Sequence, residues 1–297
     1  MTAFRLAHLS DPHLPPPPLP FRLGDLASKR LLSRFAWRRK RHRHAKAVLD
    51  AVTADLAACA PDHLAITGDL TNFATPEEFA AARAWLGTLG DPSAVTVSPG
   101  NHDALVGAGG AADFSAWTPW LGDAEPGFPC EPGFPKLRVR GPVALVNLCS
   151  AVPTSLHLAQ GRLGRAQIER AAALLRETRG LFRVVLVHHP VTPGMVSPRK
   201  SMTDAADLRA ALAAAGAELV LHGHAHAALL SGFAGPDGPI PVLGVPSAST
   251  PAGMHDQAAR WNEIEIARDG AGFRAIVTVR GVTAGGDLET LGRYELC

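Results

Sequence analysis

"AELVLHGHAH", residues 217–226, is the stretch on which the reading of this chain turns. Ala217–Leu221 is an apolar run of strand length, preceded by a helical pattern that Gly216 closes. Three histidines then fall in five positions: His222, His224 and His226. A buried strand that ends abruptly in polar residues is how open α/β sheets build sites, because ligands bind outside the carboxyl ends of the strands.

The same construction recurs along the chain. "FRLAHLS" (4–10) runs into Asp11 and His13, and "DHLAIT" (62–67) into Gly68-Asp69. "AVTVS" (94–98) runs into Pro99-Gly100-Asn101-His102-Asp103, and "RVVLV" (183–187) into His188-His189. Helical patterns separate these runs at 45–59, 164–180 and 205–216, and a further helix starts at Thr75. There Thr75 stands at the N-cap, Pro76 at N1 and Glu78 at N3, the pattern of a capping box. Strand–helix alternation of this kind predicts an α/β fold. "KLRVR" and "VALVNLC" around Gly141-Pro142 predict a hairpin, as do two C-terminal strands around Asp269-Gly270.

Asp, Asn and His clusters that follow five strands converge on one rim. Imidazole, carboxylate and amide oxygen without thiolate suit Mn, Fe, Zn, Co or Ni with open coordination positions. Two such ions about 3.5–4 Å apart clamp the attacking and leaving oxygens of a phosphoryl displacement, and a shared carboxylate would hold them that close. Asp11 and His13 are two apart, so extended backbone would aim both at one side. His224 and His226 have the same spacing, although a loop could send them to different ions.

In these motifs the chain resembles the calcineurin-like metallophosphoesterases. The ordered blocks are Asp11-x-His13, Gly68-Asp69, Gly100-Asn101-His102-Asp103, the His188 block and Gly223-His224-x-His226, spanning residues 11–226. The resemblance implies a four-layer αββα sandwich, two mixed sheets flanked by helices, with strands from about 240 to 281 completing the second sheet. It implies that Asp11, His13 and His226 bind one metal, that Asn101, His188 and His224 bind the other, and that Asp69 bridges. His102 would face the substrate and Asp103 would orient it. The cofactors would be two Fe, Mn or Zn ions, and the reaction attack of hydroxide from the dinuclear centre on phosphorus in line. The short motifs look most like the bacterial cyclic-nucleotide and glycerophosphodiester branch, so a small phosphodiester is the expected substrate. The other histidines read differently: His189 as a rim or loop residue, His222 as a strand-end structural residue, His8 as a satisfied core histidine.

Composition bounds the rest. The 297 residues suit a single domain, 1–297, with a basic Pro/Arg-rich insertion at about 14–45. Nine of the 29 Lys/Arg lie between residues 29 and 46 with no Asp or Glu among them, leaving 20 against 27 acidic residues elsewhere. The basic balance is therefore local. Within 28–46, Leu31, Leu32, Phe35 and Ala36 share a helical face beside Trp37. A solvated helix, a helix on an anionic membrane surface and a patch for an anionic ligand are all compatible with it, nucleic acid being disfavoured. The membrane reading suggests a hydrolase of a lipid-linked nucleotide pyrophosphate, of the UDP-diacylglucosamine hydrolase kind. A non-catalytic scaffold of the same fold is the remaining alternative, and the complete ligand set argues against it. Cys59, Cys130, Cys149 and Cys297 form no CxxC or disulfide framework. With no signal-peptide or membrane-spanning pattern, the expected location is cytoplasmic, with peripheral attachment to the inner face of the membrane as a variant.

Overall fold

The computed structural model describes residues 3–18, 30, 37, 41–105, 114–123, 133–155 and 157–296. Most of the basic segment 28–46 and of the loop 107–136 thus lies outside the described residues, and with it the membrane-surface reading of that segment. Among the described residues, no helix is long and apolar enough to cross a membrane.

The strands are β1 (Phe4–Leu9), β2 (His63–Ile66), β3 (Val95–Val97), β4 (Lys136–Arg140), β5 (Val143–Asn147) and β6 (Phe182–Leu186). They continue with β7 (Leu219–His222), β8 (Leu229–Ala234), β9 (Pro239–Gly244), β10 (Arg260–Asp269), β11 (Gly272–Val282) and β12 (Leu288–Glu295). The main helices are α1 (Lys46–Cys59), α2 (Pro76–Leu86), α3 (Arg165–Glu177) and α4 (Ala205–Ala215). The strands form two six-stranded sheets, ordered β12-β11-β10-β1-β2-β3 and β4-β5-β6-β7-β9-β8. Both are mixed. β1, β2 and β3 run parallel, as do β5, β6, β7 and β9, while β10 and β4 pair antiparallel with β1 and β5.

The layering follows from the two-residue period of strands, which sends alternate side chains to opposite faces. Leu6, Ala65, Val184, Leu186, Leu219, Leu221, Ile264 and Ile266 meet between the sheets. Their sequence neighbours face outward. Ala7, Leu64 and Ile66 pack with Leu49, Val52 and Leu56 of α1 and with Ala82 and Leu86 of α2. Val185 and Val220 pack with Leu174 of α3 and with Leu208 and Leu212 of α4. Strands buried on both faces read as continuous apolar runs, which is why the sequence shows them so plainly. Each fully buried Leu or Ile side chain contributes about 1.5–3 kcal/mol. The result is the expected four-layer αββα sandwich.

The predicted capping box on α2 is present in full, with Glu78 N–H donating to Thr75 Oγ1 and the Glu78 carboxylate accepting from Thr75 N–H. The hairpin across Gly141 is present as well. One expectation is corrected. The C-terminal strands do not complete a single sheet: β8 and β9 join the second, whereas β10, β11 and β12 extend the first. Ile264 and Ile266 of β10 bury their side chains between the sheets while Trp261 packs outward on the helix layer, so β10 needs cover on both faces and sits beside β1.

At the carboxyl ends the two sheets are stitched together. Ser10 bridges to Ser247, Asp11 N–H donates to Gly68 O, and His188 Nδ1 lies 2.6 Å from Thr67 O. These links place the loops after β1, β2, β3, β6 and β7 around one spot.

Candidate metal centre

Each predicted ligand leaves a strand end through a sharp turn. Asp11, His13, Asp69, His224 and His226 all have positive φ, between 41° and 62°. Non-glycine residues rarely adopt this left-handed backbone, and its concentration at one rim marks strain held in place by the surrounding fold. This corrects the extended reading of Asp11 and His13: both converge on one spot, but through left-handed turns. Two motif glycines have a steric reason. A Cβ at Gly100 would fall on Asp69, and one at Gly223 on Ser10 and Asp11.

The turns gather two sets of donor atoms. Asp11, His13 and His226 each offer one ligand atom within 4.8 Å of the others, and Asp69, His188 and His224 do the same. His226 Nε2 lies 3.2 Å from Asp11 Oδ1, and His13 Nε2 lies 3.9 Å from it. In the other group His188 Nε2 is 3.4 Å from Asp69 Oδ2, and Asn101 Oδ1 is 3.1 Å from the same nitrogen. Asp69 Oδ2 is also 3.8 Å from His13 Nε2, so this one oxygen faces both groups. His224 and His226, two residues apart, go to different groups.

The backs of the rings set their tautomers. His188 Nδ1 pairs with Thr67 O, which leaves Nε2 as the inward lone pair. His224 Nε2 pairs with Lys200 O at 3.0 Å, which leaves Nδ1. Asp11 is braced through Oδ2 by His224 N–H, and Asp69 through Oδ1 by His102 N–H at 2.8 Å.

Charge in the site is balanced in pairs. Burial opposes charge on every group here, yet His226 holds the Asp11 carboxyl far below its usual range, and His188 and His102 do so for Asp69. Burial likewise opposes imidazolium, but Asp11 lifts His226 to about 10 and Asp69 lifts His188 to about 9. His13 and His224 lie well below the ordinary histidine value, by burial and then by His44 and His189 respectively. The site therefore contains two carboxylates, neutral imidazoles, and two imidazoliums whose protons compete with cations for the same nitrogens.

The donor set fits a metal pair. Asp11 Oδ1 is buried with only imidazole nitrogens near it, His226 Nε2 at 3.2 Å and His13 Nε2 at 3.9 Å, and His13 Nδ1 is buried without a hydrogen-bond partner among the described residues. A carboxylate oxygen in that state needs a cation or a proton donor. The donors are nitrogen and oxygen throughout, with no thiolate.

His102 stands beside the ligands. Its ring is 5.0 Å from that of His13 and edge-on to it, and its Nδ1 pairs with Asn72 O at 3.0 Å. The Asn72 carbonyl thus orients the ring. Asp103 touches other groups: it accepts from Thr71 N–H (2.8 Å), Thr71 Oγ1 (3.0 Å) and Gly100 N–H (2.9 Å), tying the loop after β3 to the loop after β2. Burial, and then the nearby Asp69 charge, push the Asp103 carboxyl up to about 7.

The remaining histidines divide clearly. His189 is fully buried, not at a rim, with Nδ1 on Ser150 Oγ (2.7 Å) and Nε2 on Ala159 O (3.2 Å). His222 is buried and pairs with Gly223 O, as a structural residue does. His8 is buried against Thr67 Oγ1. Two residues of the site escape the sequence reading. The His44 ring lies 4.2 Å from that of His13, tilted at 47°, and Asp256 lies 3.8 Å from His226 Nδ1. Neither follows a strand end, and their contacts span roughly 30 residues in both cases, with no spacing to announce them. Above the ligands opens a pocket of about 290 Å³, lined by His13, His44, His102 and His226 among others, with Arg43 and Lys200 also on its wall.

The chain is similar to several known proteins. A probable cyclic nucleotide phosphodiesterase of Synechococcus is 26% identical over 223 residues, covering 74% of this chain and 78% of that protein. A purple acid phosphatase from yellow lupin (Lupinus luteus) seeds superposes with a TM-score of 0.56 at 12% identity, over 97% of this chain and 53% of that one. A 5'-nucleotidase precursor from Thermus thermophilus gives 0.51 at 15% identity, over 99% and 54%. The chain spans about half the length of these two structures, and at such identities they speak for the fold alone. Residues 4–228 match the calcineurin-like phosphoesterase family. With the family's fold, its ordered motifs and a paired nitrogen–oxygen donor site on one chain, the protein belongs to the calcineurin-like phosphoesterases, metal-dependent hydrolases of phosphoesters.

Proposed function

We propose that this protein is a phosphodiesterase that works with two metal ions. The observation that carries the reading is Asp69 Oδ2, which faces both donor groups at once. Asp11, His13 and His226 would hold one ion, and Asn101, His188 and His224 the other, with Asp69 between them. Mn, Fe or Zn suits these donors. When bound, such ions supply an activated water nucleophile and neutralise charge on the phosphoryl oxygens.

The chain's own residues do the rest. Thr67 O and Lys200 O fix the tautomers of His188 and His224, so the ligand geometry precedes binding. His102 donates Nδ1–H to Asn72 O and presents Nε2 to the pocket, where its imidazolium form donates a hydrogen bond or proton to the phosphoryl or leaving oxygen. Asp103 keeps His102 and Asn101 in place through the two loops that it joins. A small diester fits the pocket's size, and the Synechococcus relative's name supports the diester preference.

The test is a substrate panel on the Mn-loaded protein: diesters, monoesters and nucleotide pyrophosphates. Hydrolysis of bis-p-nitrophenyl phosphate should exceed that of the monoester, and His102→Ala should reduce it about 10²–10⁴-fold. Pyrophosphate cleavage alone would replace the diester reading with the lipid-linked nucleotide one. No hydrolysis of any class with Mn, Fe or Zn would favour the scaffold reading.

A further inference from the structure

His44 has no place in the ligand set, yet the fold builds a mount for it. It immediately precedes Ala45, whose N–H donates to Ser249 O just before α1 begins. Its Nδ1 lies 2.9 Å from Ser249 Oγ. Ser249 Oγ is 3.2 Å from Ser247 Oγ, and Ser247 gives its own proton to Asp11 O at 2.6 Å. The His44 ring is thereby tied through two serines to the backbone of a ligand residue.

This network is satisfied with the ring proton on Nε2. Ser247 Oγ has spent its hydrogen on Asp11 O. The Ser249 hydroxyl then finds its nearest acceptor in His44 Nδ1, closer than Ser247 Oγ. An imidazole that accepts at Nδ1 carries its hydrogen on Nε2 when neutral. His44 Nε2 has no partner among the described residues, and the ring lines the pocket over the ligands. His13 touches two such rings: His44, tilted at 47° with centroids 4.2 Å apart, and His102, edge-on at 5.0 Å. His102 is held the other way round: its Nδ1–H donates to Asn72 O, whereas His44 Nδ1 accepts from the Ser249 hydroxyl.

We infer that His44 is a second substrate-contacting histidine, whose Nε2–H donates a hydrogen bond to a phosphoryl oxygen in the pocket that His102 also lines. The inference rests on the phosphoesterase reading. It adds a residue that no ligand motif contains. A phosphoryl oxygen is a charged acceptor, and hydrogen bonds to charged groups are the stronger kind. No proton transfer is required of His44; the neutral ring is the functional form.

Two amide substitutions separate this role from simple packing. Gln places its amide nitrogen near where Nε2 stands, and Asn places it near Nδ1. His44→Gln should keep kcat/KM for bis-p-nitrophenyl phosphate within a few-fold of the parent. His44→Asn, which retains the Ser249 partner, and His44→Ala should each lose about ten- to a hundredfold. Calorimetric binding of inorganic phosphate to the Mn-loaded protein should weaken in the same order, with Mn content by elemental analysis unchanged. If Asn preserves both readouts and Gln does not, His44 is structural and the inference is wrong. If all three variants match the parent, it is equally wrong. If Mn content falls in step with activity, His44 supports His13 rather than substrate, which also overturns it. A parent protein without phosphoesterase activity that still binds phosphate through His44 would defeat the catalytic reading and leave this contact standing.

Discussion

The two halves of the metal centre use the same residue types and differ in depth. Asp69, His188 and His224 are buried, with Asn101 beside them, and the outer nitrogens of both imidazoles are tied to backbone carbonyls. In the other half Asp11 and His13 are buried, but His226 has a side chain 21% exposed, and its outer partner among the described residues is Asp256, itself 24% exposed. The Nδ1 of His13 has no hydrogen-bond partner among the described residues. One half is therefore organised by the fold, and the other is finished at the surface of the pocket. An ion in the first is expected to be held more rigidly, and one in the second to exchange more readily, because outer hydrogen bonds fix ligand orientation.

The largest effect should come from the residue that belongs to both halves. Asp69→Ala should cost several kcal/mol of transition-state stabilisation, about a thousandfold or more in kcat/KM, and lower the content of both ions. If elemental analysis found one ion retained at full occupancy, Asp69 would belong to one half only. The next test sets His188→Ala against His226→Ala. Both should lose an ion, but only the second should regain activity with added imidazole, since only that position opens to the pocket. Equal rescue would erase the difference in depth.

Proton competition gives a third test. His188 and His226 hold protons up to about 9 and 10 because each pairs with a carboxylate. A histidine raised above its unfolded value near 6.5 contributes stability that is complete below that value and is lost as pH rises through the folded value. Asp103, raised to about 7, acts in the same direction at lower pH. The melting temperature of chelator-treated protein should thus fall between pH 7 and 10. Mn affinity should rise over the same range, about tenfold per pH unit for each proton displaced. Titration in buffers of different ionisation enthalpy counts the protons released. A flat profile would mean that these imidazoles are neutral before the metal arrives.

Two smaller effects refine the picture. Asp103→Ala removes the acceptor of Thr71 and Gly100 N–H and should cost about 1–3 kcal/mol of stability, visible in denaturant unfolding. A loss of activity without any loss of stability would return Asp103 to a direct role beside His102. Asp256→Ala should weaken Mn binding by about tenfold, the low end for an outer partner of a metal ligand, and mainly at the more open half.

Much of this centre is legible in the amino-acid order because the fold is. Ala217–Leu221 or Arg183–Val187 can only be a strand with both faces covered, and the polar residues next in line must then lie at a sheet end. Asp11, His13, Asp69, Asn101, His188, His224 and His226 all fall in the clusters which that rule picks out, and the family resemblance is what separates them from His189 and His222. His44 and Asp256 fall outside those clusters, since one precedes a helix and the other lies in a loop. His189 is misjudged for a related reason: adjacency to His188 says nothing about depth, and its ring turns inward to Ser150 and Ala159 O.

The order of residues alone determined an α/β fold, the donor types and the place of each donor at a strand end, because burial periodicity and turn chemistry are local; the αββα layering was implied by the family resemblance. Only the tertiary structure decided how the donors divide. Left-handed turns aim Asp11 and His13 together, send His224 and His226 apart, and put Asp69 Oδ2 before both groups. It also decided that Asn72 O, not Asp103, orients His102, and that His44 joins the pocket at all. Those outcomes depend on contacts between segments up to some 200 residues apart, whose geometry is set when the two sheets pack, and no local pattern encodes it.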